Sequence, residues 1–168
     1  MHFEISHEFD IPLDALELAV ISPNLCTTLA RRLANMESVQ QKEHVLKEGR
    51  LERVWAYRAN VKLPAFARAY IKPEMMAWDE RSTYDLKKHS SEWTIAPHVK
   101  PEWRKYFAAS GTYTLTTLAS GRTRRVVSGN IELRVPVVRQ VAEKLIVAEV
   151  KKTFDAEAET LRDLAELV

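Results

Sequence analysis

The chain has 168 residues, with 25 Lys and Arg against 23 Asp and Glu, and it is 46% hydrophobic and 29% charged. That length and balance describe one globular domain with a real core, which excludes a disordered chain. A net charge of +2 is too small to suggest nucleic acid, and no apolar run reaches the ~20 residues of a bilayer span.

The opening stretch, MHFEISHEFDIP, carries acidic residues where a secretory leader would be apolar, so a cytoplasmic protein is expected. Its Phe3, Ile5, His7, Phe9 and Ile11 alternate with Glu4, Ser6, Glu8 and Asp10, which predicts a half-buried first strand. Pro12 ends it. PLDALELAV and SPNLCTTLARRLAN then read as two short helices, the second capped by Ser22 with Pro23 at its first position. Cys26 is the single cysteine; beside a stripe of Leu25, Leu29 and Leu33 it reads as packing rather than as a nucleophile.

Two strand-like runs, Glu37 to Lys47 and Arg50 to Leu63, flank Gly49, which suits a tight hairpin. The second places Leu51, Arg53, Trp55, Tyr57, Ala59 and Val61 on one face. After an irregular or helical piece, AFARAYIKPEM, the run MAWDERSTYDL alternates Met76, Trp78, Glu80, Ser82 and Tyr84. SSEWTIAPHV follows, and then GTYTLTTLASGRTRRVVSGNIELRV, two strands turning at Gly121. The count is seven strands. A closing helix from about Val137 to Glu166, entered through Pro136, aligns Val138, Val141, Leu145, Ala148, Phe154, Ala158, Leu161 and Ala165. Lys144, Lys151, Lys152, Glu157 and Asp163 fall on its other faces. Such a helix needs a partner along its length, and the concave face of the sheet is large enough. The expected fold is therefore α+β: a curved antiparallel sheet in β-α-α-β6-α order gripping the C-terminal helix, as one domain over residues 1–168.

This order resembles the START-like superfamily, also called the birch-pollen-allergen-like or helix-grip fold. Within it the chain is similar to a group of uncharacterised bacterial proteins with one such domain. The resemblance is carried by MHFEISHEFDIPLDAL, by SSEWTIAPHVKPEWRKY and by the stretch from GTYTLTTLASGR to the helix at VAEVKK. It implies a cavity between sheet and helix, and a range of uses: lipid transfer, binding of apolar or amphipathic ligands, cyclase chemistry, chaperone regulation. The segment HVKPEWRKYF departs from a short turn and would reshape a cavity mouth.

The candidate ligand-binding set is Trp55, Tyr57, Trp78, Trp93, Ile95, Tyr113 and Leu115 from the strands, with Val141, Leu145 and Ala148 from the helix. Filling a core is the plainer role for most of them. His7, Arg53 and Glu80 interrupt the inward alternation, so each must be paired or must recognise a polar group. A basic set, Lys100, Arg104 and Lys105 in one connection and Arg122, Arg124 and Arg125 around a turn, suits transient contact with anionic lipid head groups. Residues 87–125 hold eight Lys or Arg against two Glu, whereas the chain beyond Thr153 has five acidic residues and one Arg. The five histidines are scattered, and no metal, cofactor or nucleophile motif is present. His7 and Glu80 are the candidates for acid/base chemistry should the cavity be catalytic. The leading expectation is binding or transport of a hydrophobic small molecule or lipid, with a cyclase-like enzyme and a protein-interaction module as alternatives.

Overall fold

A computed structural model describes residues 1–167, leaving Val168, the last residue of the expected domain, outside the description. Strands β1 (His2–Phe9), β2 (Met36–Lys47), β3 (Arg50–Ala59), β4 (Ala77–Asp85), β5 (Ser90–Pro97), β6 (Phe107–Thr117) and β7 (Thr123–Leu133) form one antiparallel sheet. Its order is β1-β7-β6-β5-β4-β3-β2. Helices α1 (Leu13–Val20) and α2 (Leu25–Ala30) follow β1, and α3 (Arg139–Glu166) closes the chain. This is the seven-stranded antiparallel sheet with a long closing helix expected from the sequence pattern.

The boundaries differ from expectation where pairing partners run out. β3 stops at Ala59 rather than Leu63, because its neighbour β4 begins only at Ala77, opposite Arg58. Met76 therefore belongs to a 3-10 turn, not to the strand. α2 starts at Leu25, with Asn24 at its cap; the Ser22 hydroxyl instead accepts the Asn24 N–H in the approach to the helix. α3 starts at Arg139, two residues later than expected, and its 28 residues span about 42 Å at 1.5 Å each. The β2–β3 hairpin turns through Glu48 and Gly49 at φ 52° and 77°, the paired positive values a two-residue turn of this hand requires.

Two glycines position the interior. Gly111 and Gly129 are paired across β6 and β7, and the Trp93 indole lies on both. A Cβ on Gly129 would come within 2.5 Å of the indole, and one on Gly111 within 2.0 Å of the Ser128 carbonyl oxygen. Absence of side chains here lets the largest residue of β5 lie flat against its neighbouring strands, stacked on Phe3 at 6.0 Å. One cross-strand row thus runs Phe3, Gly129, Gly111, Trp93, Ser82 and Arg53. α1 and α2 close one side of the core with Leu16, Ala19, Val20, Leu25, Cys26 and Leu29. No described helix is long and apolar enough to cross a membrane.

Candidate functional site

Strands β3, β4, β5 and β6 send Arg53, Glu80, Ser82, Tyr84, Ser91, Trp93 and Tyr113 toward α3, and the space among them is closed by Val20, Phe154 and Glu157. The free volume is about 20 Å³, room for about one water molecule. For the interior of a small domain its walls are unusually polar. Arg53 is only 8% exposed and donates from Nη1 to the carbonyl oxygen of Val20, the last residue of α1, at 2.9 Å. Its guanidinium lies 4.5 Å from the centre of the Trp55 ring. A cation at the negative end of a helix dipole is well placed, but no carboxylate pairs with it among the described residues.

Glu80 is half-buried on the same wall. Its cross-strand neighbours are Trp55 and Ile95, and among the described residues its carboxyl has no hydrogen-bond or ion-pair partner. Burial, reinforced by the charge of Glu157 and only partly opposed by Arg53, pushes it up to about 7. Among the described residues the buried Trp55 Nε1 and the Tyr113 hydroxyl also lack partners. Burial moves Tyr113 up to about 12, against the pull of Arg125.

Beside the chamber stands a buried ion pair, in which Arg125 Nε alone of that guanidinium's nitrogens lacks a partner among the described residues. Arg125 is fully buried; Nη1 donates to Glu157 Oε2 at 2.8 Å, and Nη2 donates to the Phe154 carbonyl at 2.7 Å. Nη2 also lies 3.1 Å from His7 Nδ1, while His7 Nε2 is 2.8 Å from Asp155 Oδ1. A guanidinium only donates, so Nδ1 is the acceptor and the Nε2–H donates to Asp155. His7 is thereby neutral, consistent with a pKa held below the usual value by burial and by Arg125 against the opposing Asp155 bond. The His7–Arg125–Glu157–Asp155 cluster ties β1 and β7 to α3.

Several expected positions need correction. Arg125 is not on a basic surface. Arg122 and Arg124 are both engaged by Glu8, at 3.2 and 2.8 Å, and the Arg124 bond holds that carboxyl below its usual range. Lys100, Arg104 and Lys105 are exposed with Trp103 in a turn at the opposite end of β6, so the two basic groups do not form one patch. On α3, Val141 is 44% exposed, Ala148 is exposed, and Leu145 is half-buried outside the packed core. The inward face carries Val138, Ala142, Ile146, Val150, Phe154, Ala158 and Leu161, together with Glu157, which the sequence pattern placed outside.

Of the strand residues, Trp55, Tyr57, Trp93, Tyr113 and Leu115 are buried, and Trp78 and Ile95 half-buried; Tyr57 and Trp78 stack at 5.4 Å. Only Trp93 and Tyr113 of these seven border the chamber, alongside Arg53 and Glu80 from the polar set. Tyr84, Ser91, Phe154 and Glu157 were not singled out as site residues. Tyr84 shares the β4 alternation with Glu80, which is the signal that points to it. Cys26 is buried and its thiol is pushed up to about 11 by burial. Among the described residues no cluster of three metal-ligating side chains exists.

Comparison places this geometry in a known architecture. The family profile described as "protein of unknown function (DUF2505)" matches residues 4–164. No curated protein matches by sequence. Among solved structures, TTHA0849 from Thermus thermophilus is similar at TM-score 0.64 and 15% identity, over 99% of this chain and 98% of that one. The ZhuI aromatase/cyclase from Streptomyces sp. R1128 gives 0.65 and 17%, over 99% and 93%. Norcoclaurine synthase from Thalictrum flavum, in complex with dopamine and hydroxybenzaldehyde, gives 0.61 and 13%, over 98% and 86%. At these identities the likeness shows the fold alone, a curved antiparallel sheet gripping a long C-terminal helix.

Proposed function

We propose that this chain, which belongs to the DUF2505 family and folds as a helix-grip domain, binds a small molecule with an apolar body between its sheet and α3. The observation that carries this reading is the pairing of an uncompensated polar chamber with an apolar helix face that the protein covers only in part. Ile146, Val147, Val150 and Phe154 point inward yet remain half-buried, while Ala158 and Leu161 farther along are fully buried. Apolar surface left half-covered, at roughly 25 cal/mol per Å² still available, favours a ligand that completes the core. Partnerless groups at its inner end would orient that ligand. With free volume of about 20 Å³, entry requires the Arg139–Val150 stretch of α3 to move outward.

The test is native mass spectrometry of protein purified from its natural host or a close relative of that host, followed by solvent extraction. A reproducible added mass, lost in a folded Val150→Arg variant, supports the reading. A clean apo mass under the same conditions counts against it.

A second reading is favoured by Glu80, whose carboxyl at about 7 is suited to exchanging protons near neutrality. In this reading the same chamber performs a proton-transfer reaction, as a cyclase of this fold would. Turnover that Glu80→Gln abolishes while binding persists would select it over simple carriage.

A further inference from the structure

We propose that the chamber, taken as the binding site argued above, receives the carboxylate end of an amphipathic acid, seated on Arg53 beside the Glu80 carboxyl. The charge balance around the chamber calls for one anion. Arg53 and Arg125 are buried cations; Glu157 is the buried anion lining the space, committed to Arg125 at 2.8 Å, and Glu17, behind the Tyr84 wall, is engaged by the Tyr84 hydroxyl at 2.7 Å and by His89 Nδ1 at 2.8 Å. With Glu80 protonated, one positive charge remains uncompensated, and it belongs to Arg53. Among the described residues only one of the five N–H donors of that guanidinium has a protein acceptor, the Val20 carbonyl, and the side chain borders the free space. Trp55 stacks on the guanidinium face and fixes its plane, leaving the edge for a ligand. A planar carboxylate accepts from such an edge through two parallel bonds.

Glu80 explains why the anion is a ligand and not a side chain. The carboxyl borders the same chamber one diagonal position from Arg53 on the neighbouring strand, forms no ion pair with it among the described residues, and is neutral up to about pH 7. The groups facing it are Arg53 and Tyr57 from β3, Cys26 from α2, and Glu157 from α3, itself held by Arg125 of β7. Neighbouring β5 contributes Ser91, Trp93 and Ile95, with no charge. An incoming carboxylate therefore meets a donor at low pH and a second negative charge at high pH. Its apolar body runs from Trp93 and Phe154 along the half-covered Ile146 and Val150.

Three ten-carbon probes of one shape, decanoate, decanol and decylamine, test this when titrated below their micelle concentrations at pH 6 and pH 8. The readout is tryptophan fluorescence, with circular dichroism confirming that each variant is folded. Decanoate should bind at least tenfold more tightly than either other probe at pH 6. It should weaken by about tenfold at pH 8, as expected when binding takes up a proton at a group titrating near 7. Glu80→Gln should keep decanoate binding and lose the pH step. Arg53→Gln should weaken decanoate at least tenfold more than it weakens decanol, removing the preference. If the three probes bind alike and Arg53→Gln changes nothing, the carboxylate assignment is overturned while the pocket reading stands. If none binds at either pH, the pocket reading falls and takes this inference with it.

Discussion

Replacing Glu80 with glutamine separates the cost of burying a charge from the shape that occupies the site. An ordinary glutamate titrates near 4.5, and Glu80 at about 7. At about 1.4 kcal/mol per pH decade, keeping this carboxylate ionised in the folded protein costs up to about 3 kcal/mol above pH 7. The sign follows from proton binding. Between 4.5 and 7 the folded state holds a proton that the unfolded state has released, so this contribution to stability falls as pH rises through that window. Below 4.5 both states are protonated and the cost vanishes. Glu80→Gln should therefore stabilise the protein by up to about 3 kcal/mol at pH 8 and by only about 1 kcal/mol at pH 5. Urea unfolding of both proteins at the two pH values gives the difference directly. Equal gains at both pH values, or a loss at pH 8, would refute the claim that an uncompensated carboxyl sits in this chamber.

Removing the Arg125 side chain with Arg125→Met strands Glu157 without its partner, and a thermal melt should show a loss of about 3–5 kcal/mol. Because the folded His7 pKa is depressed, its contribution is fully present above the unfolded value of about 6.5 and is lost as pH falls below that and through the lower folded value; His7→Gln should flatten the slope of stability between pH 7 and 5. Gly129→Ala should cost about 1–3 kcal/mol through collision with the indole, and Trp93→Leu should recover part of it in a double-mutant cycle. Gly111→Ala should not be recoverable in this way, because its Cβ meets the Ser128 backbone.

The sheet was legible because period-2 alternation is strong in β1, β3, β4 and β7, and because turn residues separate the runs. The face of α3 was legible only in part. Phe154, Ala158, Leu161 and Ala165 were aligned correctly, but earlier in the helix the pattern chose Val141, Leu145 and Ala148, when the packed residues are Ala142, Ile146 and Val150. The one-residue offset from Val141 to Ala142 and from Leu145 to Ile146 is about 100° on a helix, and that from Ala148 to Val150 is twice it; apolar residues on adjacent faces leave hydrophobicity unable to choose between them. The ion pair was hidden for a different reason. Arg125 shares the inward alternation of Val127 and Ile131, yet three arginines in four positions read as surface charge. Its partner lies 32 residues away on another element, so proximity along the chain gives no hint of Glu157. Chamber polarity was anticipated through Arg53 and Glu80, since each breaks an apolar alternation. Which groups share that space depends on strand register, visible only once Arg53 is paired with Ser82 and Glu80 with Trp55 and Ile95.

Nitrogen-15 NMR of the tryptophan indoles during a decanoate titration tests the site itself. Trp55 and Trp93 lie in the interior, the Trp55 N–H without a partner, whereas Trp103 is exposed on the turn beside Arg104 and Lys105. Binding between sheet and helix predicts saturable shifts of the Trp55 and Trp93 signals with Trp103 unmoved. Shifts confined to Trp103, with both interior indoles unchanged, would contradict the account.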